Sequence, residues 1–359
     1  MWPDRRLLDL LSIELPIIQA PMAGANGSAM TIAVSEAGGL GSLPCAMLDV
    51  AKIRAELGVI RQRTAKPINV NFFCHAPPKP DAQRDAAWKA RLSAYYAELG
   101  VDPGAEAPSV NRSPFDEAMC EVMEEFRPQV VSFHFGLPAA ALVKRVKAAG
   151  CLVISSATTA EEARWLENNG CDAIVAQGNE AGGHRGIFLS DNIAAQPGTF
   201  ALVPQVVDAV KVPVIAAGRI ADGRGVAAAI ALGASGVQVG TAYLLTPEAT
   251  ITSMHRTALR AARDDGTALT NLFTGRPARG LFNRVMREAG PMSNLAPAFP
   301  TAGSALAPLK AKAEAQGSGD FSSLWSGQAA SLARETDAAA LTRHLAADGA
   351  ARLRKLAGG

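Results

Sequence analysis

Cysteine is sparse in this sequence and shows no pairing pattern. The five thiols (Cys45, Cys74, Cys120, Cys151, Cys171) are odd in number, far apart and free of any Cys-x-x-Cys spacing. That argues against a disulfide framework or a zinc site and for a reducing compartment. An excess of charge of one sign is missing too. Thirty-five Lys+Arg against 33 Asp+Glu leave a net +2, without the concentrated basic face that a nucleic-acid partner would require. No apolar run approaches the ~20 residues that span a bilayer. The N-terminal stretch carries Asp4, Arg5, Arg6, Asp9 and Glu14 where a secretory signal would be apolar. A soluble cytoplasmic protein is expected, with neither nucleic acid nor membrane as partner. His75, His255 and His344 lack metal-ligand spacing, so no metal is expected and surface or capping roles are assigned to them. Short-period repeats, long low-complexity tracts and a GxGxxG dinucleotide fingerprint are also absent.

What is present is apolar sequence in short pieces. Hydrophobic residues make up 48% of 359 positions, enough for a large core and for one large domain with an insertion, or for two domains. Eight apolar runs read as strands: 17–21, 40–43, 68–73, 130–135, 152–155, 173–177, 214–217 and 236–239. Amphipathic stretches lie between them, at 49–61, 138–149, 160–169 and 223–232, several ending in a glycine (Gly150, Gly170, Gly233) suited to a helix C-cap. This βα rhythm predicts a (β/α)8 TIM barrel, which typically takes ~250 residues, with a doubly wound open sheet as the alternative. The connection from His75 to Arg127 is longer and reads helix, break over 101–114, helix. After Thr241 the rhythm stops. Residues 246–319 read as a smaller, mainly helical domain inserted after strand 8, and 326–359 return to an alanine-rich helix that could close the barrel. The expected division is therefore 1–245 with 320–359 as barrel and 246–319 as insert.

Barrel strands are buried on both faces, so polar side chains within them need partners. Asn69 and Asn71 share one face of the third run, Ser132 and His134 one face of the fourth; the sixth ends on Gln177 and the eighth carries Gln238. Bonds among themselves or to buried water would account for any one of these. Gathered at the C-terminal ends of several strands, where barrel active sites lie, they point to a polar ring-bearing ligand in the mouth. The loop from Gln177 to Gly186 holds four glycines and one histidine, His184, and permits close backbone approach to a ligand. Gly218 and Gly240 stand in the loops after the seventh and eighth runs, where barrels often bind a phosphate such as that of FMN.

With these residues in hand, the sequence resembles the class I nitronate monooxygenases (2-nitropropane dioxygenases). The resemblance is carried by Gln19-Ala20-Pro21-Met22-Ala23-Gly24, Asn69-Val70-Asn71-Phe72-Phe73, Ser132-Phe133-His134-Phe135-Gly136 and the Gln177–Gly186 loop. It implies an FMN-binding barrel in which Met22, with Pro21 and Ala23, lines the flavin ring and Asn71, Gln177, Gly182 and Gly183 contact it. Gly218, Gln238, Val239, Gly240 and Thr241 would hold the ring edge and phosphate. His184 matches the family's catalytic histidine and His134 a second histidine in the substrate cavity. The implied reaction takes a nitronate or nitroalkane and O2 to a carbonyl compound and nitrite, in a monomer or homodimer. The insert departs from the pattern: where family members often carry tyrosines, this chain has Phe299, with Lys310 as the candidate basic group beyond it. Arg276, Arg279, Arg284 and Arg287 could draw an anion inward, but read first as a solvated helix face.

Two other readings share the same scaffold. An FMN-dependent NAD(P)H reductase, enoyl or quinone, would use the Glu-Ala-Gly-Gly-His core that such reductases share. A flavin-free barrel acting on a phosphorylated metabolite as lyase, isomerase or sensor is the third.

Overall fold

Each of the eight apolar runs forms a strand in the computed structural model, which describes residues 2–105 and 112–358. The break expected over 101–114 therefore falls partly outside the described residues. In chain order the strands are β1 (Ile17–Gln19), β2 (Gly41–Pro44), β3 (Ile68–Phe73), β4 (Val130–His134), β5 (Leu152–Ala157), β6 (Ala173–Gln177), β7 (Gly183–His184), β8 (Val214–Ala217), β9 (Gly236–Val239), β10 (Thr267–Thr270) and β11 (Ala278–Leu281). Eight of them run parallel in the order β1-β9-β8-β6-β5-β4-β3-β2. Gln19 N–H donates to the Leu40 carbonyl at 3.0 Å and Leu40 N–H to that of Ile17 at 2.9 Å, which joins the first strand to the second. The sheet is a barrel, not an open doubly wound sheet.

Period-two alternation sorts side chains between two cores. Val70, Phe72, Val131, Phe133, Val237 and Val239 point outward into the shell under the helices. Ile18, Leu40, Val130, Ile154 and Ile215 point inward and meet Leu7, Leu8 and Leu11 of the helix Arg6–Leu11, which plugs the N-terminal end. Full burial of such a side chain contributes ~1.5–3 kcal/mol, so the floor is the well-packed end and the opposite end is left for chemistry. Several helices start on side-chain caps: Asp49, Asp116, Thr159, Asp222 and Asp337 each accept a first-turn N–H. The terminating glycines Gly150, Gly170 and Gly233 take φ of +88°, +98° and +93° as the C-cap reading requires. The last helix, Ala338–Leu356, lies against Gly223–Ala231 and Ser28–Glu36, filling the slot after the eighth barrel strand.

Residues 246–319 hold helices Ser253–Arg260, Arg284–Glu288 and Ala307–Ala315, and also the β10–β11 hairpin, which sequence reading missed. β11 pairs on its other side with β7, a piece of the glycine-rich loop. The insert does not pack alone. Trp88, Tyr95 and Tyr96 from helices Ala82–Arg91 and Ser93–Leu99, with Leu92 between them, form one cluster with Leu272, Val285, Leu309 and Phe321. Trp88 Nε1 donates to the Ala302 carbonyl (3.0 Å) and Tyr96 Oη to that of Ala305 (2.6 Å). The lobe over the barrel mouth thus draws on both the long connection and the insertion. No helix among the described residues is long and apolar enough to cross a membrane.

Candidate active site

Polarity rises along the inward faces toward the strand C-termini: Val130, Ser132, His134 in β4 and Ala173, Val175, Gln177 in β6. Part of this polar set satisfies itself. Asn71 Nδ2 donates to Ser132 Oγ at 3.0 Å, its neighbour in the β3–β4 register, and Asn69 Nδ2 to Ser42 Oγ at 3.0 Å. Gln177 spans the glycine loop, its Nε2 donating to the His184 carbonyl (2.9 Å) and its Oε1 accepting from Gly186 N–H (2.7 Å). That clamp brings His184 to the end of the barrel where Asn71 and Gln177 sit.

Arg185 fixes the loop from below. It is 0% exposed, and its guanidinium donates to the carbonyls of Gln177 (2.8 Å) and Gly178 and to Gln196 Oε1 (2.9 Å). Burial pulls its pKa down to about 10. The glycines of this region have separate reasons. A Cβ on Gly182 would come within 2.5 Å of Gly327 N, because the 326–327 segment passes against it, and one on Gly218 (φ +124°) within 2.4 Å of Thr199 Oγ1. Beside Gly183 nothing lies within 4 Å, and Gly240 meets only Ala20 Cβ at 3.4 Å and Met22 Sδ at 3.7 Å. Pro21, Met22, Ala23, Gln238, Gly240 and Thr241 are half-buried, whereas Val239 points into the outer shell and can offer only its backbone. The space at Gly183 and Gly240 and the half-buried Met22 and Gln238 fit a flat ring with an anionic tail. The turn Thr241–Leu245, opening directly after Gly240, is the loop of this architecture suited to a phosphate.

His184 stands in an aromatic chamber. Its ring centroid lies 5.9 Å from Phe73, 5.9 Å from Phe135, 5.4 Å from Phe299 and 5.5 Å from Trp325. Its Nε2 is 3.0 Å from Thr274 Oγ1, and that hydroxyl is 3.3 Å from the Arg276 carbonyl. All partners are satisfied when Thr274 donates to the carbonyl and accepts from Nε2–H, which leaves Nδ1 as the bare nitrogen. Burial, then the positive fields of Arg112, His134, Arg276 and His75, hold the His184 pKa well below the ordinary 6.5. The imidazole is therefore uncharged around neutral pH. Phe135 adopts φ +71° at the end of β4, a left-handed conformation costly for a bulky side chain. That strain turns its ring toward His184 and under Arg276, whose guanidinium carbon is 4.1 Å from the ring centroid.

The other predicted residues are placed unequally. His134 joins the chamber, but Nδ1 meets Ser156 Oγ at 2.5 Å and Nε2 the His184 carbonyl at 3.1 Å, so both ring nitrogens are engaged in holding the loop. Burial keeps its pKa at about 4. Phe299 forms the outer wall. Lys310 lies on the exposed face of helix Ala307–Ala315, 3.8 Å from Glu314, because its neighbour Leu309 takes the buried side; it does not reach the chamber. His75, expected at the surface, is buried with its ring 4.7 Å from Phe299 and a pKa lowered by burial to about 4. His255 is buried too and meets the Trp325 carbonyl at 3.1 Å; His344 is exposed. The arginine cluster is not one helix face. Arg276 and Arg279 belong to the hairpin region and are turned inward, while Arg284 pairs with Glu98 and Glu288 on the surface. Thr274, Trp325 and Arg112 carry no local sequence signal; Phe73 could have been found from its register with Asn69 and Asn71. A cavity of about 520 Å³ adjoins the chamber, sharing His75, Arg276 and Phe299 with it and bounded further out by Arg84, Ile187 and Asp191.

Comparison with known proteins agrees with this arrangement. The nitronate monooxygenase family model matches residues 4–348. A nitronate monooxygenase of Pseudomonas aeruginosa is 45% identical over 342 residues, covering 95% of this chain and 97% of its own. A solved structure of nitroalkane oxidase from Streptomyces ansochromogenes superposes with a TM-score of 0.88 at 38% identity, covering 98% of this chain and 99% of that one. FabK from Thermotoga maritima follows with a TM-score of 0.75 at 29% identity, over 100% and 99% of the two chains. A family match over nearly the full chain, laid on a barrel whose mouth presents a neutral, cation-flanked imidazole, makes this chain an enzyme of the nitronate monooxygenase family.

Proposed function

We propose that the protein binds FMN across the barrel mouth and oxidises alkyl nitronates with O2 to a carbonyl compound and nitrite, accepting neutral nitroalkanes after His184 removes a proton. The observation that carries this reading is the state of His184: uncharged, its Nε2 side occupied by Thr274 and its ring walled by four aromatics. A nitroalkane C–H next to the nitro group is acidic, and its conjugate base is the oxidisable form. Nδ1 of His184 takes that proton, and the new imidazolium charge is shared through Nε2–H with Thr274 and the Arg276 carbonyl. The depressed pKa keeps the base free near neutral pH.

Flavin, when bound, supplies the electron-accepting chemistry and the reaction with oxygen. The residues proposed to hold it are Pro21, Met22 and Ala23 along one face, Asn71, Gln177, Gly182 and Gly183 at the ring, and Gly218 with Gln238, Val239, Gly240 and Thr241 at the ring edge and phosphate. His134, with both nitrogens committed, positions the His184 loop and presents only its ring face to substrate. Phe299 walls the substrate space, excluding water and so strengthening each polar contact within. The test is nitrite release with oxygen uptake on nitroethane, its nitronate and propionate 3-nitronate. Oxygen-dependent nitrite formation from a nitronate is expected; its absence from a flavin-loaded preparation overturns the reading.

A further inference from the structure

Four arginines near this site are buried or inward-facing, and three have acceptors. Arg185 engages Gln177, Gly178 and Gln196; Arg279 donates to the Asn179 carbonyl and Thr267; Arg276 donates to the Ile187 carbonyl. The fourth, Arg112, differs. Its Nε and Nη1 are both shut off from solvent and have no hydrogen-bond partner among the described residues. Its guanidinium carbon lies 5.8 Å from the Phe299 ring centroid, and that ring lies 5.4 Å from His184. Among the described residues no carboxylate offsets its burial; the groups that feel its field are His184 and His75, both pushed further toward neutrality by it.

The placement is not loose. Phe115 N–H donates to the Phe73 carbonyl at 2.8 Å, tying the chain just beyond Arg112 to the end of β3. His75, packed at 4.7 Å on Phe299, lies beside the Arg112 backbone. A guanidinium cannot shed its proton in a protein, so burial cannot neutralise it. An unpaired buried charge costs several kcal/mol, and each orphaned donor adds to that. A fixed cation with two buried, unpartnered N–H donors calls for an oxyanion acceptor, which a carboxylate and a nitronate both present.

We infer that Arg112 is the counter-charge for an anionic group of the substrate, a planar oxyanion docked against Phe299 beside His184. This rests on the nitronate reading above for the identity of the anion, but not for the existence of the site. The anion neutralises a guanidinium whose buried Nε and Nη1 have no acceptor among the described residues, and it brings the reacting carbon within the reach of His184. The site is built from the end of the long connection after β3, a stretch outside the motifs that carried the sequence resemblance.

The test uses the full chain with its flavin content checked, and Arg112→Met and Arg112→Lys beside wild type. Nitrate serves as an inert planar oxyanion in calorimetric titration. Saturable binding to wild type is expected, weakened about 30-fold or more by Arg112→Met and partly restored by Arg112→Lys. Steady-state KM is then measured on ethyl nitronate and propionate 3-nitronate. A rise on both assigns the docked group as the nitronate; a rise on the second alone assigns it as the carboxylate. Because the free side chain is an unpaired buried charge, Arg112→Met should melt no lower than wild type, whereas a structural role would lower the midpoint. Unchanged nitrate affinity with unchanged KM overturns the inference. Nitrate binding that depends on Arg112, in a flavin-loaded protein that releases no nitrite from any nitronate, keeps the site and removes the function proposed above.

Discussion

Replacing His184 separates chemistry from architecture, because its backbone and its ring do different work. The backbone is held by pairing with Ala278 across β7–β11, and its carbonyl accepts from Gln177 at 2.9 Å and from His134 at 3.1 Å. None of these involves the side chain, so His184→Asn should leave the loop in place. The ring makes two contributions. As one wall of the chamber it contacts four aromatic rings at 5.4–5.9 Å, pairs worth ~0.5–1.5 kcal/mol each. That loss falls on every substrate alike. As a base it contributes only where a proton must leave carbon, typically ~10²–10⁴-fold, or about 2.7–5.4 kcal/mol of barrier. The assay is nitrite release from nitroethane and, separately, from ethyl nitronate prepared in base and added just before measurement. His184→Asn should lower kcat/KM on the neutral nitroalkane by ~10²–10⁴ beyond any loss on the nitronate. An equal fall on both would refute the base assignment and leave His184 as a wall.

Four further predictions follow from the same geometry. With the His184 pKa held well below 6.5 by burial and by Arg112, His134, Arg276 and His75, kcat/KM on nitroethane should be flat through neutral pH and fall only well into acid; Arg276→Gln, removing one of those cations, should move that acidic limb upward, and a limb already near neutrality in the unaltered enzyme would contradict the environment described. The same depressed pKa values affect folding: His75, His134 and His255 sit near 4 in the folded chain against about 6.5 unfolded, so the unfolded chain takes up protons that the folded chain refuses, and the urea midpoint should drop as pH falls from about 6.5 toward 4 and be steady above that window. Arg185→Met strands the carbonyls of Gln177 and Gly178 and the Gln196 side chain, and should cost about 3 kcal/mol or more and open the 178–196 loop to proteolysis; a variant as stable and as resistant as wild type would remove Arg185 from its pinning role. Gly240→Val places branched carbons toward Ala20 and Met22 and should cut flavin retained after gel filtration without lowering the melting point of the flavin-free protein.

The barrel was legible because its signals are local. Alternation within five or six residues told β3 and β4 which face would carry Asn71 and Ser132, and the structure pairs those two side chains in register. Glycines at 150, 170 and 233 marked helix ends because only the left-handed region fits there. The lobe was less legible for the opposite reason. β10 and β11 are four residues each and β7 only two, too short to show a period, and the β7–β11 pairing joins residues nearly a hundred positions apart. Tyr95 and Tyr96 illustrate the same limit: their place in the lobe core depends on contacts with residues 305 and 321. His75 and Arg112 carry polar side chains whose burial is decided by what the insert lays over them. Lys310 read as a candidate because its number placed it near Phe299, but one turn of helix is enough to turn a lysine outward, and here it does so.

The central claim is that a flavin in the barrel mouth receives electrons from a nitronate. Anaerobic mixing of the purified protein with ethyl nitronate, and separately with NADH, measures this directly through the visible absorption of oxidised flavin. The account predicts a yellow protein whose blue absorption is lost on adding the nitronate, is little changed by NADH, and returns on admitting air. A colourless protein that takes up no flavin, or rapid bleaching by NADH and none by nitronate, would contradict it.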